Sequence, residues 1–172
     1  MDALEAIHTR RSIRRYEDRP VPEGLVEKLL AAAMAAPSAR NAQPWHFVVI
    51  DDRSLLEEIG RAHPNAEMAA RAPLGILVCG DLRLELSEGY WPVDCAAAAE
   101  NLLLAAHASG LGAVWTGVYP RQQRMDDHRR WHGLPEPVMA HSLVLVGYPA
   151  QQRAPEDRYR PDRVHRNRWK PA

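Results

Sequence analysis

The segment from Trp91 to about Ser109 constrains the fold more than any other. It carries apolar residues almost all the way round a helix, from Cys95-Ala96-Ala97-Ala98-Ala99 through Leu102-Leu103-Leu104. Between Cys95 and Ala108 the polar exceptions are Glu100, Asn101 and His107. A helix that is apolar on every side must be covered on every side. The run from Cys95 to Ala108 is too short to span a bilayer. It therefore predicts a central, fully buried helix, opened near Trp91-Pro92-Val93-Asp94 and capped by Gly110. The chain of 172 residues has room for one domain around that helix and not for two. Only 6% of residues are aromatic, with a single Phe, so the core must be built from Ala, Leu, Val and Ile. These bury less area per residue than rings do, and a cofactor or a partner subunit would add to the core.

The other elements follow from local pattern. Asp2 is placed to cap a helix over Ala3 to His8. Pro22 and Glu23 open a second helix, with Leu25, Val26, Leu29, Leu30 and Ala33 on one stripe, running to about Ala36 before Pro37 stops it. His46 to Ile50 reads as a strand and Ser54 to Ala62 as a third helix. Residues 63–71 give no clear period. Leu74 to Cys79 is an apolar run of strand length, and residues 81–90 read as a loop or a short helical piece. Ala113 to Thr116 is a short strand closed by Gly117, Gln122 to His132 a charged amphipathic helix, and Leu143 to Val146 part of another strand. From Ala150 on there is no apolar period, yet Tyr159, Val164 and Trp169 sit among arginines and prolines, as anchors in a tail. Irregular alternation of strands and helices predicts an α+β or α/β domain.

Composition excludes several classes. Lys and Arg together number 22, and Asp and Glu together 22, so bulk charge argues against nucleic acid or an anionic membrane as partner. Lys28 and Lys170 are the only lysines, and the positive charge is otherwise arginine, the side chain suited to bidentate binding of phosphate. Two cysteines, Cys79 and Cys95, make neither a disulfide scaffold nor a zinc motif, and read as buried thiols of a cytoplasmic protein. No apolar leader opens the sequence. His63, His107, His128 and His132 have no ligand-like spacing, so no metal site is expected.

Three polar segments stand apart from ordinary connectors. Arg10-Arg11-Ser12-Ile13-Arg14 places guanidinium groups and a hydroxyl after a helix, a set that binds phosphate, or else a solvated basic turn. Pro37-Ser38-Ala39-Arg40-Asn41-Ala42-Gln43-Pro44-Trp45 offers donors and acceptors on a rigid loop, able to read the edge of a heterocycle. It reads equally as a cap between helix and strand. Gly110-Leu111-Gly112-Ala113-Val114-Trp115-Thr116-Gly117 lets backbone approach a ligand closely, or is a helix cap followed by a strand end.

Taken jointly, and with the closing Val164-His165-Arg166-Asn167-Arg168-Trp169, these segments resemble the nitroreductase family of FMN-dependent oxidoreductases, in its compact members. The resemblance runs from about residue 4 to residue 169. It implies a three-layer α+β sandwich with a central, mixed, mainly antiparallel sheet flanked by helices. Residues 1–150 would form one FMN-binding domain and 151–172 an arm exchanged across a homodimer. The resemblance assigns Arg10 and Ser12, with Arg11 alongside, to the FMN phosphate, and Arg158 to its completion. Glu156 stands where longer relatives often place a second basic residue, for which Arg160 could substitute. Arg14 would lie at the pyrimidine end of the flavin, where a fixed cation stabilises negative charge at N1 and O2. Pro37, Ser38, Asn41 and Gln43 would border the ring from the partner subunit. Trp115 and the backbone of Thr116 and Gly117 would meet the edge carrying N5 and O4.

The resemblance thus implies an enzyme in which NADH or NADPH and a small acceptor, such as a nitroaromatic or a quinone, use one pocket in turn by a ping-pong mechanism. No side chain acts as nucleophile, and the chain lacks a G-x-G-x-x-G fingerprint for a separate nicotinamide site. A flavin store with little turnover, or a specialised member acting on a non-nitro substrate, uses the same residues. The acceptor would be chosen by residues within 63–71, 81–92 and 119–131.

Overall fold

The computed structural model describes residues 1–169. A four-stranded sheet forms its middle layer, from β1 (Trp45–Ile50), β2 (Leu74–Asp81), β3 (Gly112–Gly117) and β4 (Val138–Gly147). The strand order is β1-β2-β4-β3, and every neighbouring pair is antiparallel. Parallel pairing is confined, among the described residues, to an isolated bridge between Ser12 and Ala113. The sheet is mainly antiparallel, as expected, and its parallel component is that one bridge to the segment before it in sequence.

β2 and β4 are the inner strands and are buried along almost their whole length, which is why both read as continuous apolar runs. Alternate side chains still go to opposite faces. Ile76 and Val78 meet α2 (Glu23–Met34) and α4 (Trp91–Ala108) on one side. Leu77 and Cys79 join Leu56 and Ile59 of α3 (Arg53–Ala62), Met125 of α5 (Gln122–His132) and the 3-10 segment Pro64–Arg71 on the other. Two apolar layers separated by a sheet make the three-layer α+β sandwich.

The short first helix, α1 (Ala3–Thr9), is capped as expected, with Asp2 Oδ1 accepting from Glu5 N at 2.9 Å. α4 packs on α2 through small residues, and Asn101 Nδ2 donates to the Ala32 carbonyl at 3.1 Å. It is not covered all round in this chain. Ala98, Ala99, Leu102 and Ala106 are buried, whereas Val93 is 63% exposed. Leu104 and Ala105 join Ala32, Ala35 and Ile7 of α1 around an apolar cavity of about 360 Å³. The expectation of a fully buried helix therefore fails for the single chain. Beyond β4 the chain is exposed and carries one 3-10 turn, Pro161–Arg163.

Candidate flavin site

The basic segment 10–16 lies as a strap against the start of β3, an outer strand. Ile13 N donates to the Ala113 carbonyl at 3.0 Å, beside the Ser12–Ala113 bridge. This pairing depends on Gly112, because a Cβ there would sit 2.6 Å from Ile13 Cγ2. At its far end Tyr16 pairs with Pro149, and Ala150 N donates to the Arg15 carbonyl at 3.0 Å. The Tyr16 hydroxyl lies 2.7 Å from the Ile13 carbonyl and 3.2 Å from that of Leu145. Burial pushes its pKa up, partly offset by the Arg14 guanidinium, so the phenol stays a neutral donor.

Two cavities border the strap. One, of about 380 Å³, is lined by Arg11, Ile13, Gly112 and Arg153 among others. The second, of about 530 Å³, is walled by Arg14, Arg15, Tyr16, Glu67, Met68 and Arg71. Both volumes suit a cofactor-sized ligand. Among the described residues no hydrogen bond or ion pair engages the Arg14 guanidinium, which is exposed at the second cavity.

The other arginines of the set are committed. Arg10 Nε lies 3.4 Å from a Glu100 carboxylate oxygen on α4. Arg11 donates to the carbonyls of Ala154 at 3.2 Å and Glu156 at 3.3 Å. Arg158 pairs with the Glu156 carboxylate at 2.8 Å. Folding the tail back on the strap thus brings Arg11 and Arg158 onto the same residue, although 147 positions separate them in sequence. Hydrogen bonds and charge from Arg158, with the charges of Arg11 and Arg153, hold the Glu156 carboxyl below the usual range. A carboxylate bonded by Arg158 and stabilised by the charges of Arg11 and Arg153 marks this spot as suited to an anion. Arg160 does not join it, because its guanidinium turns to Asp162 at 3.7 Å.

The Pro37–Gln43 segment enters β1, at the sheet edge opposite the strap. Its rigidity comes from three left-handed residues, Arg40, Asn41 and Gln43, and from internal hydrogen bonds. Gln43 N donates to Ser38 Oγ at 2.9 Å, and Gln43 Nε2 to Asn41 Oδ1 at 3.1 Å. A buried carboxylate tethers it to α4, with Ala39 N donating to Asp94 Oδ1 at 2.9 Å. Sequence reading placed Asp94 in the first turn of the helix and missed this bond, because nothing local pairs it with residue 39.

At the end of β3 the buried Thr116 hydroxyl donates to the Leu143 carbonyl at 2.9 Å, so it has no hydrogen left to donate to a ligand. Trp115 meets His141 edge-on, and Tyr119 stacks on the same imidazole. Burial pushes the pKa of His141 down to about 4, partly offset by a backbone bond at Pro92, so the ring is neutral near pH 7. Gly117 is exposed, and a Cβ built on it meets nothing within 4 Å. The glycine faces a space that the protein itself leaves open. That is the cradle a planar group stacked on the strand end would fill.

A family model described as Nitroreductase family matches residues 7–63 and 61–148, from α1 to the end of β4. The chain belongs to the nitroreductase family. This nitroreductase is 51% identical over 169 residues to a Methanothermobacter thermautotrophicus protein that carries the provisional name NADH dehydrogenase/NAD(P)H nitroreductase. The match spans 98% of this chain and 88% of that protein. A crystal structure from Parabacteroides distasonis, under the same provisional name, superposes with a TM-score of 0.93 at 43% identity, covering 96% of this chain and 98% of the other. A provisionally named nitroreductase from Desulfovibrio desulfuricans, solved in complex with FMN, superposes with a TM-score of 0.85 at 30% identity, covering 99% of each chain.

The strap and the returning tail meet through Arg11, while the Pro37–Gln43 segment lies at the opposite sheet edge. Glu67, Met68 and Arg71 line the Arg14 cavity; they lie in the stretch 63–71 expected to help choose the acceptor, but were not named one by one, because the 3-10 segment that carries them has no apolar period to orient it. No helix of the described residues is long and apolar enough to cross a membrane. Among them no group of His, Cys, Asp and Glu is arranged to hold a metal ion.

Proposed function

We propose that this nitroreductase binds FMN on the strap and β3 and acts as an NAD(P)H oxidoreductase. The observation that carries the reading is the cavity beside Arg14, with an uncommitted guanidinium in its wall and the open Gly117 at the end of the adjoining strand. When bound, FMN accepts hydride equivalents from NADH or NADPH and passes them to a small acceptor. The chain's own residues bind and polarise. Arg10, Arg11, Ser12 and Arg158 hold the phosphate, which displaces the Glu156 carboxylate from its guanidinium partners. Arg14 lies at the pyrimidine edge, where its charge favours the reduced state. The backbone of Trp115, Thr116 and Gly117 meets the edge where hydride arrives. No side chain acts as nucleophile, so the protein contributes position, charge and exclusion of water.

Residues 1–150 act as one flavin-binding domain, with 151–172 as its arm. Pro37, Ser38, Asn41 and Gln43 stand at the wrong sheet edge to serve their own strap, so they serve that of a partner subunit. The exposed Tyr159, Val164 and Trp169, the last at 80%, support an arm that reaches that partner. Donor and acceptor use one pocket in turn, a ping-pong order, and the acceptor is a small oxidant such as a nitroaromatic or a quinone. The buried free thiols, Cys79 and Cys95, suit a reducing, cytoplasmic setting.

Purification tests this directly. The protein should be yellow, release FMN and not FAD on denaturation, bleach with NADH, and turn over with a nitroaromatic or quinone. FAD as the main flavin, or apo-protein that takes up no FMN, defeats the cofactor assignment. Bound flavin with negligible turnover instead supports the store.

A further inference from the structure

The corner after β3 is tethered to α5 by a side chain. Gly117 is a glycine at an exposed strand end, with no side chain and no neighbour within 4 Å of where one would be. Packing cannot hold such a residue, and glycine backbone is the most permissive of all. Polar bonds to its peptides must therefore set its position. Among the described residues, Arg124 on the first turn of α5 provides the one side-chain donor to this corner's carbonyls, with NH1 2.7 Å from the Gly117 oxygen. The N–H of the same peptide, on Val118, makes a longer bond of 3.3 Å to the His141 carbonyl. Peptide planarity carries an orientation fixed at one peptide to the next.

We propose that Arg124 is a positioning residue for the flavin reaction, which holds the Gly117 backbone in register with the ring edge that receives hydride. This rests on the reading that Gly117 meets the flavin. Arg124 acts through the glycine: its guanidinium bonds the carbonyl from the α5 side, while the open side of Gly117 faces the ligand. Without it the Gly117 carbonyl loses its side-chain donor. Val118 stays anchored by its buried side chain and by the Val118 and Tyr119 bonds to the His141 carbonyl, so the freedom regained is a tilt of the 117–118 peptide on its glycine side. A displacement of about 1 Å at a reacting centre can cost on the order of a hundredfold in rate.

The test uses FMN-loaded protein and three readouts: the visible flavin spectrum, the FMN dissociation constant and the single-turnover rate of flavin reduction at saturating NADH. Arg124→Ala should shift the flavin band and slow reduction about ten- to a hundredfold, with FMN affinity changed less than about threefold. Arg124→Gln, which keeps an N–H donor on a shorter, neutral side chain, should fall between it and the parent, and reads out even if the alanine variant folds poorly. Arg124→Lys restores a charged donor and should recover most of the rate. Unaltered spectrum and reduction rate in Arg124→Ala or Arg124→Gln overturn the proposal. So does equal damage in the Gln and Lys variants with FMN affinity lost in parallel, which would be a general structural role. Gly117→Ala separates this failure from that of the underlying reading. The added methyl has free space in the protein, so it should weaken FMN binding only if the flavin occupies that space. Unchanged FMN binding in Gly117→Ala removes Gly117 from the flavin site, whatever Arg124 does.

Discussion

Arg14 and Arg10 illustrate how one basic cluster divides its work. The Arg10 side chain is only 23% exposed and is paired with Glu100, whereas Arg14 is exposed and uncommitted. A cation at the ring edge gains more from the reduced flavin, which carries charge, than from the oxidised one. Arg14→Ala should therefore lower the two-electron potential by roughly 30–65 mV, taking about 1.4–3 kcal/mol for a hydrogen bond to a charged group and about 30 mV per 1.4 kcal/mol. Arg10→Ala should weaken FMN binding with little change in potential. Dye equilibration on fully flavinated samples checks both, and equal shifts would place Arg14 away from the ring. Glu156 supplies a second prediction. Its carboxylate pairs with Arg158 and lies in the field of Arg11 and Arg153, where the phosphate should bind. Glu156→Gln should tighten FMN binding, by roughly two- to fivefold for exposed charges, and less at high salt. Fluorescence titration at two ionic strengths measures it, and weaker binding would show that Glu156 supports the site.

At the scale of elements, α5 is held by aromatic packing that is sensitive to acid. His128, buried on α5, stacks on His63 from the end of α3 and on His132 one turn later, with Trp131 edge-on. Its Nε2 and that of His63 have no hydrogen-bond partner. Burial, then the neighbouring His132 and His63, push the pKa of His128 down to about 3. Burial and the Arg124 charge lower that of His63, against an opposing pull from Asp127. The unfolded chain thus binds more protons than the folded one between about pH 6.5 and pH 3. Stability contributed by neutral His128 is full above pH 6.5 and falls as pH drops, by up to about 1.4 kcal/mol per pH unit in that window. His141, lowered to about 4 mainly by burial, adds to the same slope. Melting temperatures at pH 7.5 and pH 5 should differ accordingly, and His128→Leu should flatten the dependence. An unchanged slope in that variant would mean other groups carry it.

For the whole molecule, the exposed apolar side chains of α1, α4 and the tail describe a chain made to be covered. Leu4, Ile7, Met34 and Val93 are exposed alongside the tail anchors. Light scattering should show a dimer at assay concentration, and a fully flavinated monomer would contradict a site completed by the partner's loop. Truncation after Ala150 removes both Arg158 and Trp169, and should weaken dimer and flavin together. Loss of flavin with the dimer intact would confine the tail to the phosphate.

Much of this architecture is legible from residue order. Helix α5 has the bounds its charged amphipathic pattern predicts, and α4 ends where Gly110, at φ 77°, takes the left-handed turn. These features are set by neighbours three or four positions away, so local pattern suffices. β4 begins five residues earlier than its apolar core suggested, because His141 and Ser142 are polar yet buried by pairing with β2. The family motifs likewise stand in the sequence, since short loops that must touch a ligand tolerate few residue types. What residue order alone did not decide is which segments meet. Strand order puts the strap on β3 and the Pro37–Gln43 loop beside β1. The returning tail gathers Arg11, Arg153 and Arg158 on Glu156, and α5 brings Arg124 to Gly117. The strap on β3 and the reach of Arg11 to Ala154 and Glu156 join distant positions through the packing of the sheet, and no local period encodes them. Arg158 to Glu156 and Arg124 to Gly117 are near in sequence, yet which side chain turns to which carboxylate or carbonyl is set by the tail and the corner in three dimensions.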